Sequence, residues 1–122
     1  MKLIQDAPGR QHTITGYGAD HVRIDDVRHE ANLILLPDLL LSPWAASFEA
    51  LSPPHWGELI AARPEVVLLG TGARQRFPSP AVLRPLIEAG IGVEVMDLPA
   101  ACRTYNILQA EGRRVAAALL LA

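Results

Sequence analysis

The stretch EVVLLGTG at residues 65–72 decides the fold class of this 122-residue chain. Its apolar part is continuous rather than alternating, which is typical of a strand covered on both faces of its sheet. The Gly70-Thr71-Gly72 segment is expected to end the strand at Leu69 and to turn the chain. A strand of this kind needs helices on both faces of its sheet, so the stretch predicts an α/β fold.

Similar patterns alternate along the rest of the chain. Ser52 and Ser79, each followed by proline, are typical helix starts, and Asp97 is a third candidate N-cap. The predicted helices are 53–62, 80–89 and 98–110, and the predicted apolar strands are 32–36, 65–69, 91–96 and 115–121. Because helices separate the first three of these strands, we expect them to run parallel. The direction of the last strand stays open.

Short β-branched segments precede this alternation. They predict strands at 11–16 and 22–24 with a continuation at 27–30, after a loose or edge segment at 1–10. We therefore expect a single domain over residues 1–122. Its predicted class is a three-layer α/β fold with a mixed, largely parallel central sheet, helices on both faces and extra N-terminal β-structure.

Composition excludes several classes of protein. Apolar residues make up 50% of the chain and the mean hydropathy is +0.20, which excludes a disordered protein. The formal net charge of -2 shows no basic excess, so no nucleic-acid partner is predicted. No apolar stretch reaches the ~20 residues of a membrane helix, and residues 1–6 lack the apolar core of a signal peptide. We therefore expect a soluble, cytoplasmic protein without membrane insertion.

The cysteine and the histidines point to no metal, cofactor or catalytic set. Cys102 is the only cysteine, which excludes an internal disulfide and a multi-cysteine metal site, and the four histidines lack metal-ligand spacing. Cys102 lies beside Arg103 early in a predicted helix, where a thiol can become reactive. Its place on the apolar face with Ala101 and Tyr105 favours a buried core residue instead. No catalytic residue is predicted, and whether the chain is an enzyme stays open, with a non-catalytic module favoured.

A shallow crevice is predicted where two strands end. If the strands ending at Leu69 and Met96 are parallel, their carboxyl ends share one edge with the N-terminus of the next helix, which favours an anion. The candidate ligand-binding residues are Gly70, Thr71, Gly72, Arg74, Asp97, Arg103 and Asn106, with Arg76 close by. The segment is neither a P-loop nor a dinucleotide fingerprint. In the competing interpretation the glycines only turn the chain, Asp97 caps the helix, and Asn106 faces water or bonds a neighbouring loop such as 70–76.

A set of motifs carries a family resemblance. They are EVVLLGTG at 65–72, GIGVEVM at 90–96, ACRTYNIL at 101–108 and EGR at 111–113, supported by ITGYG at 14–18 and SPW at 42–44. Together they resemble a family of small bacterial and archaeal domains of unknown function, whose mitochondrial member is the third assembly factor of respiratory complex I. The matching family positions are Gly70, Thr71, Gly72, Cys102, Tyr105, Asn106, Glu111 and Arg113. Leu98-Pro99 is a departure, because relatives commonly place Thr there, and the lost hydroxyl weakens the anion-site interpretation.

The resemblance implies a three-layer fold and a non-catalytic role in assembling a membrane enzyme through protein partners. The first hypothesis is therefore an assembly or interaction module, whose partner is an assembly protein or a membrane-complex subunit. It predicts an exposed apolar patch. The alternative is a small-ligand or anion binder, or an enzyme, that uses the Gly70–Gly72 crevice and the helix N-terminus after Asp97. It predicts a concave pocket there. A bacterial source and a monomer or weak dimer are expected.

Overall fold

A computed structural model of the chain describes the strand at 3–6 and residues 11–122. Three α-helices, one 3-10 helix at Pro53–Trp56 and nine strands occur in this part of the chain. The helices are α1 (Gly57–Ala61), α2 (Pro80–Glu88) and α3 (Leu98–Ala110). The strands are β1 (Leu3–Asp6), β2 (Ile14–Tyr17), β3 (Val22–Ile24), β4 (Val27–His29), β5 (Leu33–Leu36), β6 (Leu39–Ser42), β7 (Val66–Thr71), β8 (Gly92–Met96) and β9 (Val115–Leu120).

The central sheet is mixed and has the strand order β1-β6-β5-β9-β7-β8. β7 lies parallel to both β8 and β9, whereas β5 pairs antiparallel with β9 and β6, and β1 pairs antiparallel with β6. The predicted α/β class with a mixed sheet is confirmed. The parallel direction predicted for the strand at 32–36 is wrong. The prediction relied on the helix between residues 36 and 65, but the β5–β6 hairpin reverses the chain before that helix begins.

The sheet separates two apolar layers. Along β9, Ala117 and Leu119 face a core that includes α3 and the strands β2 and β3, while Ala118 and Leu120 face a core that includes the 3-10 helix, α1 and α2. Each fully buried leucine contributes about 1.5–3 kcal/mol to folding. The helices on both faces and the three-layer arrangement are therefore confirmed.

The N-terminal strands form a separate sheet with the order β2-β3-β4. The predicted strand at 11–16 is shifted to β2, because the backbone of His12 donates to the carbonyl of Pro37 (2.7 Å) and Thr13 accepts from the amide of Asp25 (3.0 Å). Asp25 and Asp26 have φ values of 51° and 68° in the tight turn between β3 and β4. In the predicted segment 1–10, β1 is an edge strand, and residues 1–2 and 7–10 lie outside the described residues.

Two predicted boundaries are corrected. β7 does not end at Leu69 but continues through Gly70 to Thr71, and both residues are buried. The helix predicted at 53–62 is divided into the 3-10 helix and α1. Trp56, the last residue of the 3-10 helix, is fully buried and donates from Nε1 to the carbonyl of Val82 (2.8 Å), which links this segment to α2. Within the described ranges, no helix has the length and apolar character needed to cross a membrane.

Candidate functional site

The turn after β7 is built around the hydroxyl of Thr71. This buried hydroxyl donates to the carbonyl of Arg74 (2.7 Å) and accepts from the amide of Arg76 (2.9 Å). Gly72 has a φ of +82°, in the left-handed region that favours glycine, and a Cβ there would lie 3.1 Å from the backbone of Ala122. The Thr71–Arg76 turn is therefore held by its own residues.

Gly70 has a packing role. A Cβ at this position would lie 3.0 Å from the Cβ of Ala101 and 3.1 Å from Cδ2 of Leu119. These distances are tighter than ordinary van der Waals contact, so the absence of a side chain lets α3 approach β7. Gly70 faces helix α3, and it does not line the cavity described below.

The N-terminus of α3 offers no free amide to an anion. The amide of Leu98 donates to the carbonyl of Gly72 (2.7 Å), and Pro99 has no N–H. The amide of Ala100 donates to Oδ1 of Asp97 (2.8 Å), and the next amide bonds the Asp97 carbonyl. Asp97 therefore acts as the helix cap that the competing interpretation favoured. The expectation of an anion at this helix end is corrected, because its donors are already paired.

A cavity of about 610 Å³ lies beside the turn. Of the predicted site residues, Thr71, Gly72 and Arg74 line it, whereas Gly70, Asp97, Arg103 and Asn106 do not. The remaining lining comes from the β2–β3 turn, from Ala73 and Arg76, from the start of α3 and from the segment after β9: Tyr17, Gly18, Ala19, Leu98, Pro99, Leu121 and Ala122. The β2–β3 turn is not among the predicted site residues, because only its place in the fold brings it to the cavity.

The two arginines that line this cavity differ in whether contacts within the protein already occupy their guanidinium groups. The guanidinium of Arg76 donates to the carbonyls of Thr71 (3.1 Å) and Ala122 (2.9 Å), and its carbon lies 4.5 Å from the centroid of the Phe48 ring. Arg76 also pairs with Glu49 at 3.6 Å, so it is occupied by structural contacts. Arg74 is exposed at the cavity and forms no ion pair with another described residue.

Arg103 lies at the rim, on the exposed side of α3. Its Nη1 donates to the hydroxyl of Tyr17 (3.3 Å), a cavity-lining residue. No Asp or Glu side chain is found among the described residues that line the cavity. Arg74 and Arg103 are therefore the two positive charges that a bound molecule could use here.

Asn106 links the β2-β3-β4 sheet, which we call the small sheet, to α3. Its Oδ1 accepts from the amide of Ile14 (2.9 Å), and its Nδ2 donates to the carbonyl of the same residue (2.7 Å). Of the alternatives considered for Asn106, the bond to the 70–76 loop is not formed, because both bonds go to Ile14 of β2. Asn106 lies eight residues beyond Leu98, roughly 12 Å along the helix axis, so it faces β2 instead.

Cys102 is a core residue, and the redox hypothesis fails. The side chain is 1% exposed, and burial raises the pKa of its thiol to about 12 against a smaller opposing effect of Arg103. A reactive cysteine needs a thiolate and access, and Cys102 has neither. One turn further on, the buried hydroxyl of Tyr105 donates to the carbonyl of His12 (2.9 Å). Burial, and then Asp25 and Asp38, raise the pKa of Tyr105 above its usual range.

The buried side chain of His12 is paired with Asp25, and no sequence pattern indicated this pair. Nδ1 of His12 lies 2.6 Å from Oδ2 of Asp25, and Nε2 of His12 has no hydrogen-bond partner in the described part of the chain. Burial, and then the charge of His12, lower the pKa of the neighbouring His29. His12, Asp25 and His29 line neither the cavity described above nor the second cavity described below. No group of metal-ligating side chains occurs among the residues the structure describes.

A second cavity of about 450 Å³ continues the first. The two share Ala19, Leu121 and Ala122 in their linings. We call the two cavities together the end groove. The second cavity contains Trp44, whose Nε1 donates to the carbonyl of His55 (3.0 Å).

Exposed apolar side chains are not gathered on one element. Tyr17, Val27, Phe77, Ile87 and Ile107 are the exposed large apolar residues of the described chain, and they lie on four different elements and one loop. The exposed apolar patch expected for a partner-binding module stays a prediction. Most of the side chains lining the end groove are apolar or small.

The family comparison covers almost all of this architecture. Residues 14–120 match the family described as "Protein of unknown function (DUF498/DUF598)". The chain belongs to this family. It is similar to a crystal structure of a protein from Bordetella parapertussis, with a TM-score of 0.86, 39% identity, and coverage of 93% of this chain and 98% of that one.

Curated relatives carry two different kinds of name. The human "NADH dehydrogenase [ubiquinone] 1 alpha subcomplex assembly factor 3" is 45% identical over 98% of this chain and 66% of its own length. The "13 kDa major membrane protein" of Francisella tularensis is 32% identical over 59% of this chain and 58% of its own length. The chain thus spans less than two thirds of either relative, and only 34% of the bovine assembly factor.

Proposed function

We propose that this chain is a non-catalytic, cytoplasmic interaction module that assists the assembly of a membrane-bound NADH dehydrogenase through a protein partner. The observation that carries the proposal is the 45% identity to the human assembly factor across 98% of this chain. We infer a shared partner chemistry from this identity and its extent along the chain.

The placement of reactive groups supports a non-catalytic role. Cys102 is buried on the inner face of α3, and the His12–Asp25 pair lines neither cavity. The hydroxyl of Thr71 is committed to the turn that follows β7. The end groove thus offers surface and charge to a partner, and the nucleophilic and acid–base groups named here stand outside it or are already paired.

The experiment is a gene deletion in the cells that carry this chain, followed by native gel electrophoresis of the respiratory complexes. We expect less fully assembled NADH dehydrogenase, with other respiratory complexes unchanged and activity restored by the wild-type chain. The variant Ala73→Trp, which fills the end groove at an exposed position, should fail to restore assembly. Its matched control, Ala81→Trp on the exposed side of α2, should succeed. Normal assembly in the deletion strain would contradict the proposal.

A second candidate is a small-molecule binder, and one observation favours it. The larger cavity, at about 610 Å³, is within the roughly 300–1,000 Å³ range of ligand pockets, and Arg74 stands at its edge. Native mass spectrometry should then show a small bound mass that Ala73→Trp removes and Ala81→Trp retains. Gly72 is unsuitable for this test, because its φ of +82° would strain any side chain.

A further inference from the structure

We infer that the end groove binds an extended peptide segment of the partner protein, acidic where it meets Arg74 and Arg103 and basic where it meets Asp20 and Glu30. This inference rests on the proposed function and names the chemistry of the partner. It follows from the continuity of the groove, the size of its lining residues and the separation of its charges.

The two cavities form one path along the end of the sheet. Ala19 in the β2–β3 turn and the Leu121–Ala122 segment after β9 line both of them. The first cavity reaches from there to the Thr71–Arg76 turn, and the second reaches to the Pro43–Ser47 segment after β6. An occupant of both cavities must therefore be long and narrow, as an extended peptide is.

Small residues are frequent along the end groove. Gly or Ala occupies eight positions of the combined lining, among them Gly18, Ala19, Ala73 and Ala122. Small side chains allow another backbone to approach closely. Larger apolar side chains also line the groove, with Leu98 in the first cavity and Trp44 in the second, and would contact side chains of the bound segment.

The charges are separated along the groove. Arg74 lines the first cavity, with Arg103 at its rim, and no acidic residue contributes to that lining. Asp20 and Glu30 line the second cavity, and their side chains are 75% and 65% exposed. Both contact Arg28, and Asp20 also lies 3.0 Å from Nδ1 of His21, so one net negative charge remains at that end with His21 neutral. A simple anion would pair only with the arginines of the first cavity. A peptide with opposite charges at its two ends would pair with the charges of both cavities.

The test uses a displayed library of random octapeptides, selected on the full chain. We expect enriched peptides with acidic residues at one end, basic residues at the other and apolar residues between. A synthetic peptide of the enriched sequence should bind at least about 10-fold more weakly to Arg74→Glu/Arg103→Glu and to Asp20→Lys/Glu30→Lys. The control Arg84→Glu, an exposed position outside both cavities, should stay within about 2-fold. Circular dichroism would verify that every variant is folded.

Each outcome separates the inference from the proposed function. Failure to enrich any peptide, enrichment without charge polarity, or equal binding to the charge variants would overturn the inference. The same charge variants are then tested for complementation of the deletion strain. Restored assembly by both charge variants would overturn the inference while leaving the assembly role intact. Charge-dependent peptide binding in a chain whose deletion leaves assembly normal would support the groove chemistry and refute the assembly role.

Discussion

Replacing Asn106 by Leu tests how the small sheet is attached to α3. The Asn106 amide makes both hydrogen bonds to the backbone of Ile14, at 2.9 Å and 2.7 Å, and leucine has nearly the same size but no polar atoms. The substitution leaves the amide and the carbonyl of Ile14 without these partners. Each unpaired, partly buried group costs about 1–1.5 kcal/mol, so we expect Asn106→Leu to lower the free energy of unfolding by about 2–3 kcal/mol.

Urea unfolding followed by tryptophan fluorescence measures this cost, and amide hydrogen exchange locates it. Exchange at Ile14 should accelerate more than exchange at Leu68 in the central sheet, because the attachment of β2 is lost first. The matched control Ala110→Leu, at an exposed position of the same helix, should change stability by less than about 0.5 kcal/mol. A cost for Asn106→Leu as small as that of the control, or unchanged exchange at Ile14, would refute the reasoning.

Three other predictions concern α3 and its contacts. Gly70→Ala should destabilise the protein by about 1–3 kcal/mol through contacts with the Ala101 Cβ and the Leu119 side chain. In an Ala101→Gly background the cost should be smaller, because only the contact with Leu119 remains. Urea midpoints measure both costs, and equal costs in the two backgrounds would exclude the contact with Ala101. The Cys102 thiol has its pKa raised to about 12, so the folded state retains this proton while the unfolded thiol loses it near pH 8.5. The contribution of this thiol to stability should therefore be constant below that pH and fall above it. Between pH 8.5 and 10, the free energy of unfolding should fall by about 1.5 kcal/mol more in the wild type than in Cys102→Ala. Parallel pH profiles of the two proteins would contradict this. Asp97→Ala should cost about 1 kcal/mol through loss of the helix cap, whereas Asp97→Asn should stay within about 0.5 kcal/mol, as thermal unfolding of the two variants would show.

The elements of the fold could be predicted from local patterns, but the direction of one strand could not. The continuous apolar runs predicted the positions of β5, β7 and β9, because burial on both faces favours an apolar or small residue at every position of the strand. The direction of β5 depends on the tight connection to β6 and on pairing with β9, whose sequence is distant. No local pattern contains that information.

Part of the cavity lining could also be predicted from the sequence. Thr71, Gly72 and Arg74 do line a cavity, because strand ends in an α/β sheet gather at one edge. Gly70 was misinterpreted, since a packing glycine and a ligand-loop glycine look alike until the neighbouring helix is placed. Tyr17 was not considered, because only the tertiary packing of the small sheet brings it to the cavity.

The most direct test of the central claim is native mass spectrometry of the chain gently purified from its own cells. The wild type and the control Ala81→Trp should retain one protein partner at a fixed stoichiometry, and Ala73→Trp should lose it. A bare chain in every preparation, or a partner retained equally by Ala73→Trp, would contradict partner binding through the end groove.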